Sequence, residues 1–303
     1  MRVECKSKHF ELQRLEDGIY AAIAKDGGGA VGNAGFIDLG DQTIIFDTFN
    51  TQQAAADLKK CAEELTGHEV SWAINSHYHG DHIRGNQVFA SCQILSSDTT
   101  YSNIKELQPT RIESQKDDMK GLAKYISTLE TTLQETNDKK LEVQISFLKE
   151  IESSLPTLSL TLPTVTFQDM YTFKGSKRSA VLFTKGGGHT PCDAFLYMPD
   201  DQVIFMGDLL FVNTHPSIFE DSDVDNWINI LQELLTWDIN VAIPGHGPVG
   251  TKNDLLTIIR YMNNLKQTIA QGGDHDQIKI PEPYQGWALP ELFQRNLKQL
   301  QQS

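Results

Sequence analysis

A chain of 303 residues with 39% hydrophobic and 22% charged side chains has an ordinary globular composition, enough for one large α/β domain with additions or for two small domains. Its formal net charge of −14 argues against binding nucleic acid through the phosphate backbone, which needs clustered Lys and Arg to displace counterions. Four cysteines, Cys5, Cys61, Cys92 and Cys192, show neither metal-knuckle spacing nor disulfide-scaffold density. The first ten residues lack an apolar h-region and no window approaches a membrane span, so the expectation is a soluble, reduced, cytoplasmic protein.

In chain order, Ile19 to Ala24 reads as a strand, and Ala34 to Leu39 with Thr43 to Phe46 as a hairpin about Gly40-Asp41. Between them Gly27 to Gly32 fits GxGxxG in form. A strand-like run follows it where a phosphate-binding helix would have to begin, so it reads as a flexible hairpin tip or a loop over a metal site. Gln53 to Leu65 is an amphipathic helix with Ala55, Leu58, Ala62 and Leu65 on one face, ended by Gly67. With the strands on either side it forms a βαβ unit, which predicts parallel pairing there.

Val70 to Ile74 reads as a buried strand, and after it come Asn75-Ser76-His77-Tyr78-His79-Gly80-Asp81-His82. Three imidazoles and a carboxylate fall within six positions. These are ligands that zinc, manganese and iron share. On an extended exit from the strand, His77 and His79 point the same way and Tyr78 faces the other side. Asp81 and His82 follow in a tight turn, so the natural reading is two neighbouring metals, one per pair.

From Ser97 to Pro163 the pattern turns helical. Met119, Leu122, Ile126, Leu129 and Leu133 recur at three- and four-residue steps, and Leu141, Ile145, Leu148 and Leu155 do so roughly after Thr136-Asn137-Asp138. This predicts an inserted helical hairpin, with apolar stripes for packing and the capacity to wall a substrate pocket. Strands return at Val165 to Phe167, Met170 to Phe173 and Ala180 to Thr184, leading to Gly186-Gly187-Gly188-His189-Thr190-Pro191. A hairpin of Phe195 to Met198 and Val203 to Met206 delivers Asp208 at a strand end, and Cys192 reads as a structural thiol. His215 is a candidate proton donor or substrate contact at the pocket rim. Val224 to Trp237 reads as a helix, Val241 to Pro244 as a strand with His246 between glycines at its end, and Leu255 to Ile269 and Ala288 to Leu300 as helices.

HxHxDH at 77–82, the Gly-Gly-Gly-His189-Thr-Pro segment, Met206-Gly207-Asp208-Leu209-Leu210 and Pro244-Gly245-His246-Gly247, in that order, resemble the metallo-β-lactamase fold hydrolases over about residues 16–250. The Asp208 and His-Thr-Pro segments look more like the glyoxalase II and lactonase branch than like lactamases with a cysteine ligand. The resemblance implies an αββα sandwich: one domain over 1–303, with a helical insertion at 98–163 and carboxy-terminal helices at 253–303. It also implies a first metal on His77, His79 and His189, a second on Asp81, His82 and His246, Asp208 bridging both, and Asp47 holding a ligand histidine.

Two divalent ions are the expected cofactors, zinc first, with iron or manganese as alternatives. Such a pair holds a bridging hydroxide, oriented by Asp81, for attack on the carbonyl of an ester, thioester, lactone or β-lactam. An iron-dependent redox enzyme on the same scaffold and a non-enzymatic metal-binding scaffold protein are the alternatives, and the complete second-metal set favours hydrolysis. A small-molecule substrate is the expected partner, with no nucleic acid and no membrane, and the oligomeric state stays open.

Overall fold

The computed structural model describes residues 5–272 and 278–302. It divides into two compact units, Met1–Phe167 with Gly175–Lys177, and Gln168–Lys174 with Arg178–Ser303. Of the expected carboxy-terminal helices over 253–303, residues 273–277 and 303 lie outside the described residues.

The first unit is built on a seven-stranded sheet in sequence order: β1 (Phe10–Glu16), β2 (Ile19–Ala24), β3 (Ala34–Asp38), β4 (Thr43–Phe46), β5 (Val70–Ile74), β6 (Gln93–Ser97) and β7 (Val165–Phe167). β1 to β4 pair antiparallel, and β4 to β7 pair parallel. The switch falls where the βαβ reading puts it. Helix α1 (Gln52–Thr66) starts at Thr51, whose side chain accepts from Ala54 N, and stops at Gly67, whose φ of 75° suits glycine. It buries Ala55, Leu58 and Ala62 in one core with Phe36, Ile45 and Ile94 of the sheet. Leu58, Phe36, Ile45 and Ile94 each contribute about 1.5–3 kcal/mol by burial.

Three features depart from the sequence reading. β1 and β6 were not expected: β1 is a polar edge strand that fully buries only Phe10, and β6 is rich in Ser, so each owes its state to its neighbours in the sheet. Cys5 and Cys61, expected as separate thiols, form a disulfide, a pairing that 56 residues of separation conceal. The inserted hairpin is corrected to three helices. After the one-turn α2 (Gly80–Ile83) come α3 (Asp98–Asp117), α4 (Met119–Thr136) and α5 (Lys139–Ser154). The buried positions of α3 are Thr100, Ile104, Gln108 and Ile112, and Pro109 lies inside it, so it shows no continuous apolar stripe to read.

Polar contacts help tie the insertion to its unit. Lys8 pairs with Glu150 at 2.6 Å, Ser146 Oγ donates to the Gly27 carbonyl at 2.9 Å, and Gln52 Nε2 donates to the Ser154 carbonyl at 2.8 Å.

The second unit has a five-stranded sheet, β8 (Met170–Lys174), β9 (Ser179–Thr184), β10 (Ala194–Met198), β11 (Val203–Phe205) and β12 (Val241–Ile243). It is antiparallel except for the β11–β12 pair. Helices α6 (Val224–Leu234), α7 (Lys252–Ala270) and α8 (Glu291–Gln302) bury Trp227, Leu255, Tyr261 and Phe293 in its core. Trp227 Nε1 donates to the Leu209 carbonyl at 2.9 Å, which satisfies the one polar atom of a wholly buried indole. No helix among the described residues is long and apolar enough to cross a membrane.

Candidate metal centre

In the first unit the candidate ligands leave the carboxyl ends of parallel strands, where open α/β sheets place their ligand sites. β4 runs into Asp47 and β5 into Asn75. Asp47 is fully buried with φ 61°, a left-handed conformation that costs energy for a residue with a Cβ. Its Oδ1 accepts from Ser76 N at 2.8 Å. Its Oδ2 accepts from Ser76 Oγ and from His82 Nδ1, both at 2.8 Å. Burial pushes the Asp47 pKa up, and His82 and the Ser76 hydrogen bonds pull it back.

The proton positions follow from these contacts. A carboxylate only accepts, so the Ser76 hydroxyl donates to Asp47 and receives the Nδ1 proton of His77, 2.9 Å away. His82 likewise carries its proton on Nδ1. Both rings therefore present an Nε2 lone pair, the form in which imidazole binds a cation. The rings cluster: His77 lies 4.8 Å from His79 and 4.4 Å from His82 between centroids, and His82 Nε2 lies 3.5 Å from Asp81 Oδ2.

Around this loop, Asn75 and Asn86 exchange side-chain amide hydrogen bonds at 2.9 and 2.8 Å, and Thr48 N donates to the His82 carbonyl at 2.9 Å. Helix α3 adds Gln108 Nε2, which donates to the Tyr78 carbonyl at 2.8 Å, and Arg111, whose guanidinium lies 5.4 Å from the Tyr78 ring centre. The glycine run is packed rather than a free tip. A Cβ on Gly29 would lie 2.5 Å from Thr51 Oγ1, and one on Gly32 would lie 2.7 Å from His82 Cε1, so the alternative of a loop over the candidate ligands describes it.

In the second unit His189 follows Gly188, where a Cβ would meet Leu209 Cδ2 at 2.8 Å. Its Nδ1 donates to the Ser217 carbonyl at 3.0 Å, which again leaves the lone pair on Nε2, 3.2 Å from Asp208 Oδ2. His246 Nε2 lies 3.4 Å from the same oxygen, and its ring stacks on Phe211 with centroids 5.3 Å apart and an interplanar angle of 11°. Acceptor atoms this close repel unless a cation sits among them or an imidazole is protonated, so the donor set fits a metal. Gly245 fixes the carboxylate, since a Cβ there would fall 1.9 Å from Asp208 Oδ1. Behind His189, Asp193 accepts from the amides of Gly188 and Thr190 at 3.1 and 2.9 Å and from Thr190 Oγ1 at 2.6 Å. Burial raises its pKa to about 6.

Each expected ligand thus lies beside others of its own unit. His215 lies elsewhere from its expectation. Its ring is wholly buried rather than at a pocket rim, bonded through Nδ1 to Tyr261 Oη at 3.0 Å and set edge-on to Tyr261, Trp287 and Phe293. Its aromatic neighbours come from distant sequence, which an Asn-Thr-His-Pro turn does not reveal. Cys192 is buried 3.5 Å from Thr190 Oγ1, as a structural thiol would be. Ser76, Asn75, Asn86 and Gln108 carry support roles that the sequence did not assign. The first three stand within or beside the histidine motif, and Gln108 gave no signal.

The family model of the metallo-beta-lactamase superfamily matches residues 27–246, more than half of the chain. The protein belongs to this superfamily, whose members are usually hydrolytic metalloenzymes. Among solved structures it is similar to a metallo-beta-lactamase from Pontibacter korlensis, at 17% identity and a TM-score of 0.59, over 84% of this chain and 99% of that one. It is also similar to VMB-1, at 16% identity and a TM-score of 0.61, over 86% of this chain and 100% of that one. At these identities the likeness is one of fold, and the mixed α/β class with two sheets agrees with it.

Proposed function

We propose that the protein is a dinuclear metal-dependent hydrolase acting on a carbonyl carbon, with His77, His79, Asp81 and His82 of the first unit and His189, Asp208 and His246 of the second as the metal ligands. The observation that carries this reading is the proton pattern: Nδ1 donation to Ser76, Asp47 and the Ser217 carbonyl presents the Nε2 lone pairs of His77, His82 and His189 as ligands. Bound cations would lower the pKa of a coordinated water and polarise a carbonyl oxygen. Asp81, 22% exposed beside wholly buried His82, is the carboxylate assigned to orient the attacking water and hold its proton. Asp47 keeps His82 oriented, and His215, wholly buried and bonded to Tyr261, is assigned no step in this proposal.

A donor set of nitrogen and carboxylate oxygen suits zinc, and also iron and manganese. Asp208 in place of a cysteine ligand supports the glyoxalase II and lactonase branch, with esters, thioesters and lactones ahead of β-lactams. The test is a panel of one chromogenic ester, one thioester, one lactone and one β-lactam, assayed before and after chelation and with His77→Ala. Turnover that chelation abolishes, zinc restores and His77→Ala lacks is expected. Turnover indifferent to both treatments would overturn the assignment.

A further inference from the structure

The inserted helices line an open cavity of about 710 Å³ whose lining residues all belong to the first unit. That volume is in the range of small-molecule sites. One side is apolar: Leu122 and Tyr125 of α4, Phe147, Leu148 and Ile151 of α5, and Leu155. The other side carries Asn50, Asp81 and Arg84. Tyr125 is 48% exposed, and its hydroxyl accepts from Gln144 Nε2 at 3.2 Å.

Arg84 is the anomaly in this wall. A guanidinium has five N–H donors, and this one makes a single hydrogen bond, from Nη1 to Asn50 Oδ1 at 3.4 Å. Its Nε is buried without a partner, and it has no salt bridge among the described residues. Asp81 is the carboxylate whose charge reaches Arg84, but with no carboxylate in hydrogen-bond contact this half-buried guanidinium keeps most of its donors for a ligand. Arg111 adds a second positive charge nearby, and Asp81 is the opposing one. Asp118 also lines the cavity, so a monoanion is favoured over a phosphate dianion. Val31, another lining residue, is held at φ 71°, a strained conformation for a β-branched side chain and of the kind found at ligand clamps.

We infer that this cavity is the substrate pocket and that the substrate carries a carboxylate, held by Arg84, beside an aliphatic or aromatic group housed between α4 and α5. The inference deepens the hydrolase reading and rests on it for the role of Asp81. Arginine and carboxylate form two parallel N–H···O bonds, which would use the donors that the fold leaves over.

The test is calorimetric titration of the metal-loaded protein with octanoate, octan-1-ol and acetate, in wild type, Arg84→Gln, Arg84→Lys and Phe147→Ala, with metal content measured in each. Octanoate is expected to bind at least about tenfold more tightly than either other probe, since a hydrogen-bonded charge pair and a buried chain each supply that much. Arg84→Gln should erase the preference for octanoate over octan-1-ol while octan-1-ol affinity and metal content stay unchanged, and Arg84→Lys should restore part of it. Phe147→Ala should weaken octanoate and octan-1-ol alike. Octanoate affinity that is undetectable, equal to that of octan-1-ol, or unchanged in Arg84→Gln would overturn the inference. An Arg84-dependent preference in a protein that retains no divalent metal would instead sink the hydrolase reading and leave the pocket standing.

Discussion

The imidazoles at 77–82 and those at 189 and 246 are held in different ways. His77 and His82 reach one buried carboxylate, Asp47, directly or through the Ser76 hydroxyl. His189 donates to a neutral backbone carbonyl and His246 stacks on the face of Phe211, while Asp193 bonds to the loop amides beside His189. The first set is therefore tuned by charge, since Asp47 makes the imidazoles it holds more basic and fixes their tautomer. The second is placed by packing and backbone, and its charge comes from Asp208 itself. Substitutions of the two supports should accordingly differ in kind.

The largest effect is expected at Asp208. Asp208→Asn keeps the shape and removes the charge that faces His189 and His246, so hydrolysis should fall on the order of 10²–10³-fold with loss of bound metal. Steady-state rates beside metal analysis check this. Next is Asp193, whose pKa of about 6 in the folded protein stands above the ordinary aspartate value of 3.8. Its contribution to stability is fully present below about pH 4 and is lost as pH rises through about 6. In chelated protein the stability of wild type relative to Asp193→Asn should thus fall by up to about 3 kcal/mol between pH 4 and 7, as read from urea unfolding.

At Asp47 the expected effect is smaller and specific to the first set. Asp47→Asn turns one acceptor into a donor against His82 Nδ1–H and should weaken metal binding about 10–100-fold while the fold persists. A competitive chelator titration measures it. Gln108→Ala is expected to do least. Losing the hydrogen bond to the Tyr78 carbonyl should cost about 1 kcal/mol of stability and leave metal affinity within a few-fold of wild type. A larger loss of metal there would show that the inserted helices hold the loop as firmly as Asp47 does.

What the sequence disclosed follows the same physical divide. Ligands crowded into His77 to His82 are legible because adjacent positions carry the chemistry, and α1 is legible because Ala55, Leu58 and Ala62 repeat on one face. His189, Asp208 and His246 each stand at the end of a strand-like run, and only the order of their motifs gave them meaning. Hidden were the elements whose state comes from their partners: β1 at a sheet edge, and α3 with Pro109 inside it and Gln108 turned to the Tyr78 carbonyl. Arg84 looked like any charged residue after the motif until its unpartnered buried Nε became visible. His215 misled because a histidine in a polar turn gives no hint of the rings of Tyr261, Trp287 and Phe293 around it.

The proposed function requires two metals per chain. Its most direct test is the metal content per chain, by plasma mass spectrometry, of protein purified without added metal, beside a His246→Ala variant. About two zinc or other divalent ions per chain, falling towards one in the variant, is the expected result. A single iron per chain, unchanged by His246→Ala, would contradict it and point to mononuclear redox chemistry on the first set.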